Sequence, residues 1–263
     1  MKLLPICSSS KGNSTYIGTK EKGIAIDVGC SFKAFCGGLS LIGADISSVK
    51  AILVTHDHSD HIKGLLTLTK HTHIPIYAAA PTLDFLVRNG FVASTADLRS
   101  IDNLKEIEFD AEISCFPTPH DALASVGYRF DFGNQKLGFA TDLGTITSEV
   151  RENLLGCRTV FIEANYQPER LRNNPMYPAY LKKRIASERG HLSNPDSAEF
   201  CSELVKNGTV SLVLGHLSQE NNTPEIAFDT VRRRLTADGA EREKDYMLKV
   251  APVSNVNGDH IVF

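Results

Sequence analysis

Thr55-His56-Asp57-His58-Ser59-Asp60-His61-Ile62-Lys63-Gly64 carries three of the chain's nine histidines and two carboxylates between positions 56 and 61. The residues before it, Val49 to Val54, form a short apolar run rich in β-branched side chains, the pattern of a buried strand. The residues after it, Ile62 to Lys70, offer Leu65, Leu66 and Leu68 to the packed face of a helix. The cluster therefore falls on a loop between a strand and a helix, where rigid elements hold chemistry in place. His56 and His58 are two apart, so in extended chain their rings point the same way and can share one metal ion. Asp60 and His61 come where the chain turns into the helix, and they aim elsewhere, toward a second metal. Imidazole with carboxylate suits Zn²⁺, and also Mn²⁺ or Fe. A purely structural loop gains little from five groups that compete for protons and water, which favours a functional site.

The placement recurs along the chain. A strand region from Glu106 to Phe116 ends in Pro117-Thr118-Pro119-His120-Asp121, where two prolines fix the backbone just before a histidine. Lys136 to Ala140 runs into Thr141-Asp142-Leu143-Gly144, and Thr209 to Leu214 into Gly215-His216. In a layered α/β fold, loops from one end of the sheets gather at one edge, where ligands bind. Thr159 to Ile162 is a further strand, ending at Glu163-Ala164-Asn165. The opening reads as a meander of Leu3 to Ile6, Ser14 to Gly18 and Gly23 to Val28, with a small-residue turn over positions 8 to 13. Helices are expected over Phe32 to Leu41, Pro81 to Gly90, Asp196 to Lys206 and, behind a Thr223 N-cap with Pro224 first, through Leu235. His71 and His73, beyond the motif helix, read as surface residues.

The pattern H-x-H-x-D-H after an apolar strand resembles the signature of the metallo-β-lactamase superfamily, and the resemblance runs along nearly the whole chain. It implies an α/β fold, a four-layer αββα sandwich, with residues 1–263 as a single domain. It also implies two divalent metal ions, Zn²⁺ or Mn²⁺, with Fe as a further option. By resemblance, His56, His58 and His120 hold one metal, Asp60, His61 and His216 hold the other, and Asp142 bridges them. Two close cations repel, and an anionic bridge offsets that. Water between them would be acidified to hydroxide near neutral pH, ready for in-line attack on phosphorus. His61 separates the chain from the commonest true β-lactamases, and His58 from the superfamily's diiron flavoproteins, which place Glu there. Gly190-His191-Leu192-Ser193-Asn194 and Leu214-Gly215-His216-Leu217-Ser218-Gln219-Glu220-Asn221-Asn222 resemble the YycJ/WalJ-like branch, taken to be metal-dependent nucleases acting on DNA. One departure is Tyr166-Gln167, where many relatives carry His-Asp; it bears on substrate preference. In the family an acid placed like Asp27 supports the metal loop by hydrogen bonding; the plain alternative is a turn residue before Gly29.

Asp60 and His191 are the expected catalytic residues. As an imidazolium, His191 could bond a phosphate oxygen or give a proton to the leaving alkoxide. Its alternative is a ring that caps the following helix or bonds a carbonyl. A basic, insertion-like segment lies around 166–191. Arg170, Arg172, Lys182, Lys183 and Arg184 stand with no acid between positions 170 and 184, interleaved with Tyr166, Tyr177 and Tyr180. Lys182, Lys183 and Arg184 are expected to contact phosphates of DNA away from the scissile bond. The alternative is a solvated helix face.

Composition is that of an ordinary globular chain of 263 residues, 42% hydrophobic and 22% charged, with formal net charge −3. That charge argues mildly against tight non-specific nucleic-acid binding, and a nuclease needs only a local basic track. No apolar run approaches the roughly 18 residues that span a bilayer, and Pro5 interrupts the short apolar patch at the N-terminus, so a cytoplasmic protein is expected. The six cysteines are scattered without a C-x-x-C pair and read as buried thiols. The leading expectation is a dinuclear metal phosphodiesterase, a DNA exonuclease. The competing readings are a hydrolase of small phosphodiesters, cyclic nucleotides or thioesters, and a metal-bound regulatory module without catalysis. A complete set of seven ligands weighs against the last.

Overall fold

The computed structural model describes residues 1–263. The chain packs as two compact units, one of Met1–Ile113, Ala122–Val126 and Pro252–Phe263, the other of Ser114–Asp121 and Gly127–Ala251.

The first unit is built on a mixed seven-stranded sheet. β1 (Lys2–Ser9), β2 (Gly12–Gly18) and β3 (Gly23–Ile26) form the antiparallel meander. β4 (Val49–Leu53), β5 (Ile76–Ala78) and β6 (Leu98–Ser100) extend it in parallel, and β13 (Ile261–Val262) pairs antiparallel with β1. Parallel neighbours need crossovers. These are α1 (Phe32–Ser40), then α2 (Ser59–Ile62) with α3 (Leu65–His71), then α4 (Ala80–Arg88). Phe35, Leu39, Leu65, Leu68 and Leu86 from these helices are fully buried in one cluster with Leu4 and Ile52 of the sheet and Val54 just beyond β4.

Two local readings change. The first hairpin turn is only Ser10-Lys11, because the Asn13 side chain bonds both the N–H and the C=O of Ser9 and keeps the strands paired to their ends. The single motif helix divides at Gly64, where a Cβ would lie 2.2 Å from the Cys30 carbonyl oxygen. Farther on, residues 101–106 make a 3₁₀ turn capped by Ser100, so the expected strand region of 106–116 begins at Glu112.

The second unit holds a six-stranded sheet in the order β12-β11-β10-β9-β8-β7. Its strands are β7 (Glu112–Pro117), β8 (Val126–Asp131), β9 (Lys136–Ala140), β10 (Thr159–Glu163), β11 (Ser211–Gly215) and β12 (Met247–Val250). β9 to β12 run parallel, and β8 is antiparallel to β9. The helices are α5 (Ser148–Leu154), α6 (Pro168–Asn173), α7 (Ala179–Ile185), α8 (Asn194–Lys206) and α9 (Pro224–Ala237). Thr223 caps α9 by accepting from the Ile226 N–H, as its sequence predicts. α8 starts two residues before the expected Asp196, because Ser193 supplies the cap. Phe200, Leu204, Val231 and Leu235 pack with Ile162, Leu212 and Leu214 into a second buried core.

This topology decides where chemistry can sit. In the first unit the loops leaving β3 and β4, parallel neighbours, carry Asp27 and positions 55–61. In the second, three adjacent parallel strands bring Asp142 just beyond β9, Glu163 at the last position of β10 and His216 just beyond β11. Crevices at the carboxyl ends of parallel strands are where α/β sheets bind ligands.

Candidate metal centre

In the first unit one carboxylate organises the metal loop. Asp27 is buried and accepts from the Thr55 N–H at 2.8 Å, the Thr55 hydroxyl at 2.8 Å and His61 Nδ1 at 2.7 Å. It supports the loop, as the family resemblance implies. A carboxylate only accepts, so the proton of His61 sits on Nδ1 and its lone pair on Nε2. Thr55 spends its single proton on Asp27, so it accepts from His56 Nδ1 at 3.0 Å, and His56 is fixed in the same tautomer. This is how metal-ligating histidines are normally oriented. His56 and His58 lie with ring centroids 4.7 Å apart, and His56 and His61 4.1 Å apart. His61 Nε2 stands 3.4 Å from Asp60 Oδ2, and the Asn13 amide touches both at 3.2 Å. Two donors about 2.1 Å from one tetrahedral metal stand about 3.4 Å apart, so Asp60 and His61 have the spacing of co-ligands. Asp57, between the two histidines, instead accepts from the Leu123 N–H.

The second unit repeats the logic. His120 Nδ1 donates to the Gly190 carbonyl at 2.9 Å, and His216 Nδ1 to Glu163 Oε1 at 2.8 Å. Their Nε2 atoms each lie 3.5 Å from the same oxygen, Asp142 Oδ1. Asp142 thus stands at ligand spacing from two different histidines, as a bridging carboxylate must. Asp142, Glu163, His191 and His216 form a group dense enough to hold an ion by themselves.

Glu163 was not foreseen as functional. It is fully buried at the end of β10, takes the N–H groups of Leu143 and Leu192, and takes both His191 and His216 at 2.8 Å. Burial pushes its carboxyl up, but His191, followed by His216, outweighs that and holds it well below the usual carboxylate range. Only an acid at the exit of an apolar strand marked it in the sequence. Asn165 was missed as well; its amide donates to the His216 carbonyl at 2.7 Å.

Backbone strain concentrates at the same residues. Asp27, Asp142 and His216 have φ of 57°, 58° and 55°, and Glu243 is the one other non-glycine residue with positive φ. Such conformations cost on the order of 1–3 kcal/mol each and persist where surrounding bonds enforce them. The close approach at Gly29 adds to this, since a Cβ there would lie 1.6 Å from the Asp60 carbonyl oxygen.

His191 is held side-on by Glu163 and stays partly exposed, its side chain at 19%. The ring therefore neither caps α8, whose cap is Ser193, nor bonds a carbonyl. The basic segment is engaged in local contacts. Arg184 pairs with Asp121, and Lys182 Nζ donates to the Arg172 carbonyl, while Lys183 is exposed. Arg189, unremarked in the sequence, donates twice to the His120 carbonyl. Tyr166 is buried beside Ser193 and offers no stacking face, whereas Tyr180 is 75% exposed. His71 and His73 are surface residues, with His71 stacked on Phe32. No helix is long and apolar enough to cross a membrane.

The donors fit divalent metals of the Zn²⁺ or Mn²⁺ kind: imidazole Nε2 atoms with fixed tautomers, carboxylates at co-ligand spacing, and second partners on the far ring nitrogens. Asp27→Asn is expected to leave the fold intact but weaken metal binding about 10–100-fold, since the three donors from Thr55 and His61 use both carboxylate oxygens and an amide keeps only one acceptor. Chelator competition measures it.

A model of the beta-lactamase superfamily domain matches residues 24–216. The chain is 34% identical over 242 residues to exodeoxyribonuclease YycJ of Bacillus anthracis, covering 89% of each chain. It is 34% identical to exodeoxyribonuclease WalJ of Streptococcus pneumoniae, over 88% of this chain and 86% of that one. Among solved structures, Zn²⁺-bound PqqB from Methylobacterium extorquens covers the whole of both chains at TM-score 0.70 and 15% identity, which establishes a shared fold. YhfI from Bacillus subtilis, itself described as a metallo-β-lactamase fold protein, aligns over 97% of each chain at TM-score 0.66 and 13% identity. With the family model spanning most of the sequence and the Asp27-supported histidine loop in its place, the chain belongs to the metallo-β-lactamase superfamily, alongside the YycJ and WalJ proteins.

Proposed function

We propose that the chain is a dinuclear metal-dependent phosphodiesterase, a DNA exonuclease working in the cytoplasm, with residues 1–263 acting as one catalytic domain. The observation that carries this is Asp142, at 3.5 Å from both His120 Nε2 and His216 Nε2, in a chain 34% identical to relatives named exodeoxyribonucleases. His56, His58 and His120 would hold one ion, Asp60, His61 and His216 the second, with Asp142 common to both. Such a pair supplies Lewis-acid charge and acidifies water toward neutral pH.

The chain's own groups do the rest. Asp27, Thr55 and Glu163 keep the imidazoles in one tautomer, so no reorganisation is needed when charge develops. Asn13 holds the Asp60 carboxylate. His191, anchored through Nδ1 to Glu163, keeps Nε2 for substrate and can protonate a leaving alkoxide from there. Lys182 and Lys183 on α7 supply charge for the DNA backbone, and exposed Tyr180 offers a face on which a base can stack. Arg184, engaged with Asp121 beside His120, is as much a support of that loop as a phosphate contact.

The test is purified protein with Mn²⁺ or Zn²⁺ on end-labelled single- and double-stranded DNA, beside bis(p-nitrophenyl) phosphate and a thioester. Stepwise release of nucleotides from DNA ends supports the reading. Turnover confined to the small diester or the thioester would replace it.

A charge test separates binding from chemistry. Replacing Lys182 and Lys183 with alanine is expected to flatten the salt dependence of DNA binding by about two units of slope, one per lost contact. Hydrolysis of the small diester should stay near the parent level. If both fall together, the segment is structural.

A further inference from the structure

Three loops of the second unit meet around His191. One leaves β10 after Glu163, one approaches α8 with His191, and one leaves β11 with His216. Two buried asparagines, 0% and 2% exposed, tie them together. Asn194 Nδ2 donates to Asn222 Oδ1 at 2.9 Å, and Asn222 Nδ2 donates back to Asn194 Oδ1 at 2.9 Å. Asn222 Nδ2 also reaches the Ala164 carbonyl at 2.8 Å and the Asn165 carbonyl at 3.1 Å, while Asn194 Nδ2 reaches Gln167 Oε1 at 3.1 Å. The Thr223 N–H donates to Asn222 Oδ1 at 3.0 Å. All four amide hydrogens of the pair are therefore spent, and both of its oxygens accept. A buried polar network satisfied this fully rigidifies its surroundings and specifies one arrangement.

We propose that Asn194 and Asn222 are positioning residues, whose amide pair sets where His191 presents Nε2 and holds His216 in its strained backbone. The bonds that lead from the pair to the two histidines are direct. Asn194 belongs to the same short approach to α8 as His191, and that approach is laced to the β10 exit. The Asn165 N–H donates to the Leu192 carbonyl at 2.9 Å, and the Asn194 N–H to the Tyr166 carbonyl at 2.8 Å. The His191 ring is anchored through Nδ1 on Glu163, so the backbone leading into Asn194 decides where its other nitrogen points. On the side of His216, Asn222 and the Ser218 N–H both hold the Asn165 carbonyl, and the Asn165 amide in turn holds the His216 carbonyl at 2.7 Å. Residue 216 has φ of 55°, a conformation that persists only where neighbouring bonds enforce it. Neither asparagine is expected to touch substrate or metal; each acts through a histidine.

The catalytic consequence rests on the proposed phosphodiesterase reading, whereas the ring geometry does not. A displacement of about 1 Å at a reacting group costs about 10²-fold in rate, which is the loss expected on DNA for Asn194→Ala and for Asn222→Ala. The loss on bis(p-nitrophenyl) phosphate should be smaller, since its leaving group needs no proton from His191. The double variant should lose no more than Asn222→Ala alone, because the two residues share one interaction.

The test joins these rates to a readout that does not depend on turnover. Nitrogen spectra of the ¹⁵N-labelled full chain, purified with Zn²⁺, identify the His191 ring by its absence in His191→Ala. In the parent, Nδ1 should show the shift of a nitrogen bonded to carboxylate; in both asparagine variants it should move away from that value. Leu235→Ala, a cavity in the second core, serves as the stability control and should alter neither the ring signal nor the ratio of rates on the two substrates. Should Asn222→Ala fold poorly, Asn194→Ser gives the same comparison. An unmoved His191 signal with equal losses on both substrates, or the same pattern in Leu235→Ala, would overturn the positioning role and leave the pair as scaffold. Additive losses in the double variant would overturn the pair as a unit. If the parent cleaves neither substrate, the phosphodiesterase reading fails, while the His191 signal still decides the positioning.

Discussion

Asp142→Ala is expected to purify with at most one metal per chain and to lose turnover on phosphodiesters by at least about 10²–10³-fold. The carboxylate is at co-ligand distance from both His120 and His216, and under the proposed assignment its loss touches both ions at once. Removing it also restores the repulsion between two dications that an anionic bridge offsets. Alanine carries a second burden, because residue 142 sits at φ 58°. Asp142→Asn separates the two effects, since asparagine tolerates that backbone while lacking the charge. Metal analysis with circular dichroism on both variants checks this. Two metals per chain in a folded Asn variant would sink the bridging assignment. Full loading in Asn with loss in Ala would make the backbone, rather than the charge, the cause.

The readability of the site follows from where each signal lies. His56, His58, Asp60 and His61 are close in sequence and follow an apolar β-branched run, so residue type, spacing and element are readable together. His120, Asp142 and His216 share the same local sign, a polar residue directly beyond a strand. Glu163 shares it too, yet its role comes from His191 and His216, 28 and 53 positions away. Nothing local distinguishes it from an ordinary strand-end acid. Arg184 illustrates the converse. A run of three cations reads as a phosphate track, but the partner that takes one of them, Asp121, lies 63 positions earlier. Tyr166 fails for a similar reason: interleaving with basic residues predicts exposure, while its bridge to Ser193 buries it. Of the helix boundaries that shifted, the one at Ser193 was set by a local cap accepting from the Asp196 N–H, and the one at Gly64 by close contact with the Cys30 carbonyl, a tertiary fact.

The Glu163–His191 pair carries the second large expectation. His191→Ala should fold and keep both metals, because the ring is partly exposed and is not among the seven expected ligands. Its turnover on DNA should fall about 10²–10⁴-fold, the usual worth of general acid help. The loss should be far smaller on bis(p-nitrophenyl) phosphate, whose leaving p-nitrophenolate needs no proton. Glu163 explains why the ring suits this task. Its carboxylate, held low against the cost of burial by His191 and then His216, takes His191 Nδ1 and so fixes which ring nitrogen is left to face substrate. Glu163→Gln should therefore weaken the same step while also disturbing His216, so it should lose some metal affinity where His191→Ala does not. The two variants thus differ in a readout other than rate. An equal loss on good and poor leaving groups in His191→Ala would leave phosphate positioning as its role, and unchanged turnover on DNA would make the residue structural. If His191→Ala instead purified short of metal, His191 would belong with Asp142 and His216 as a ligand, which their grouping in the second unit permits.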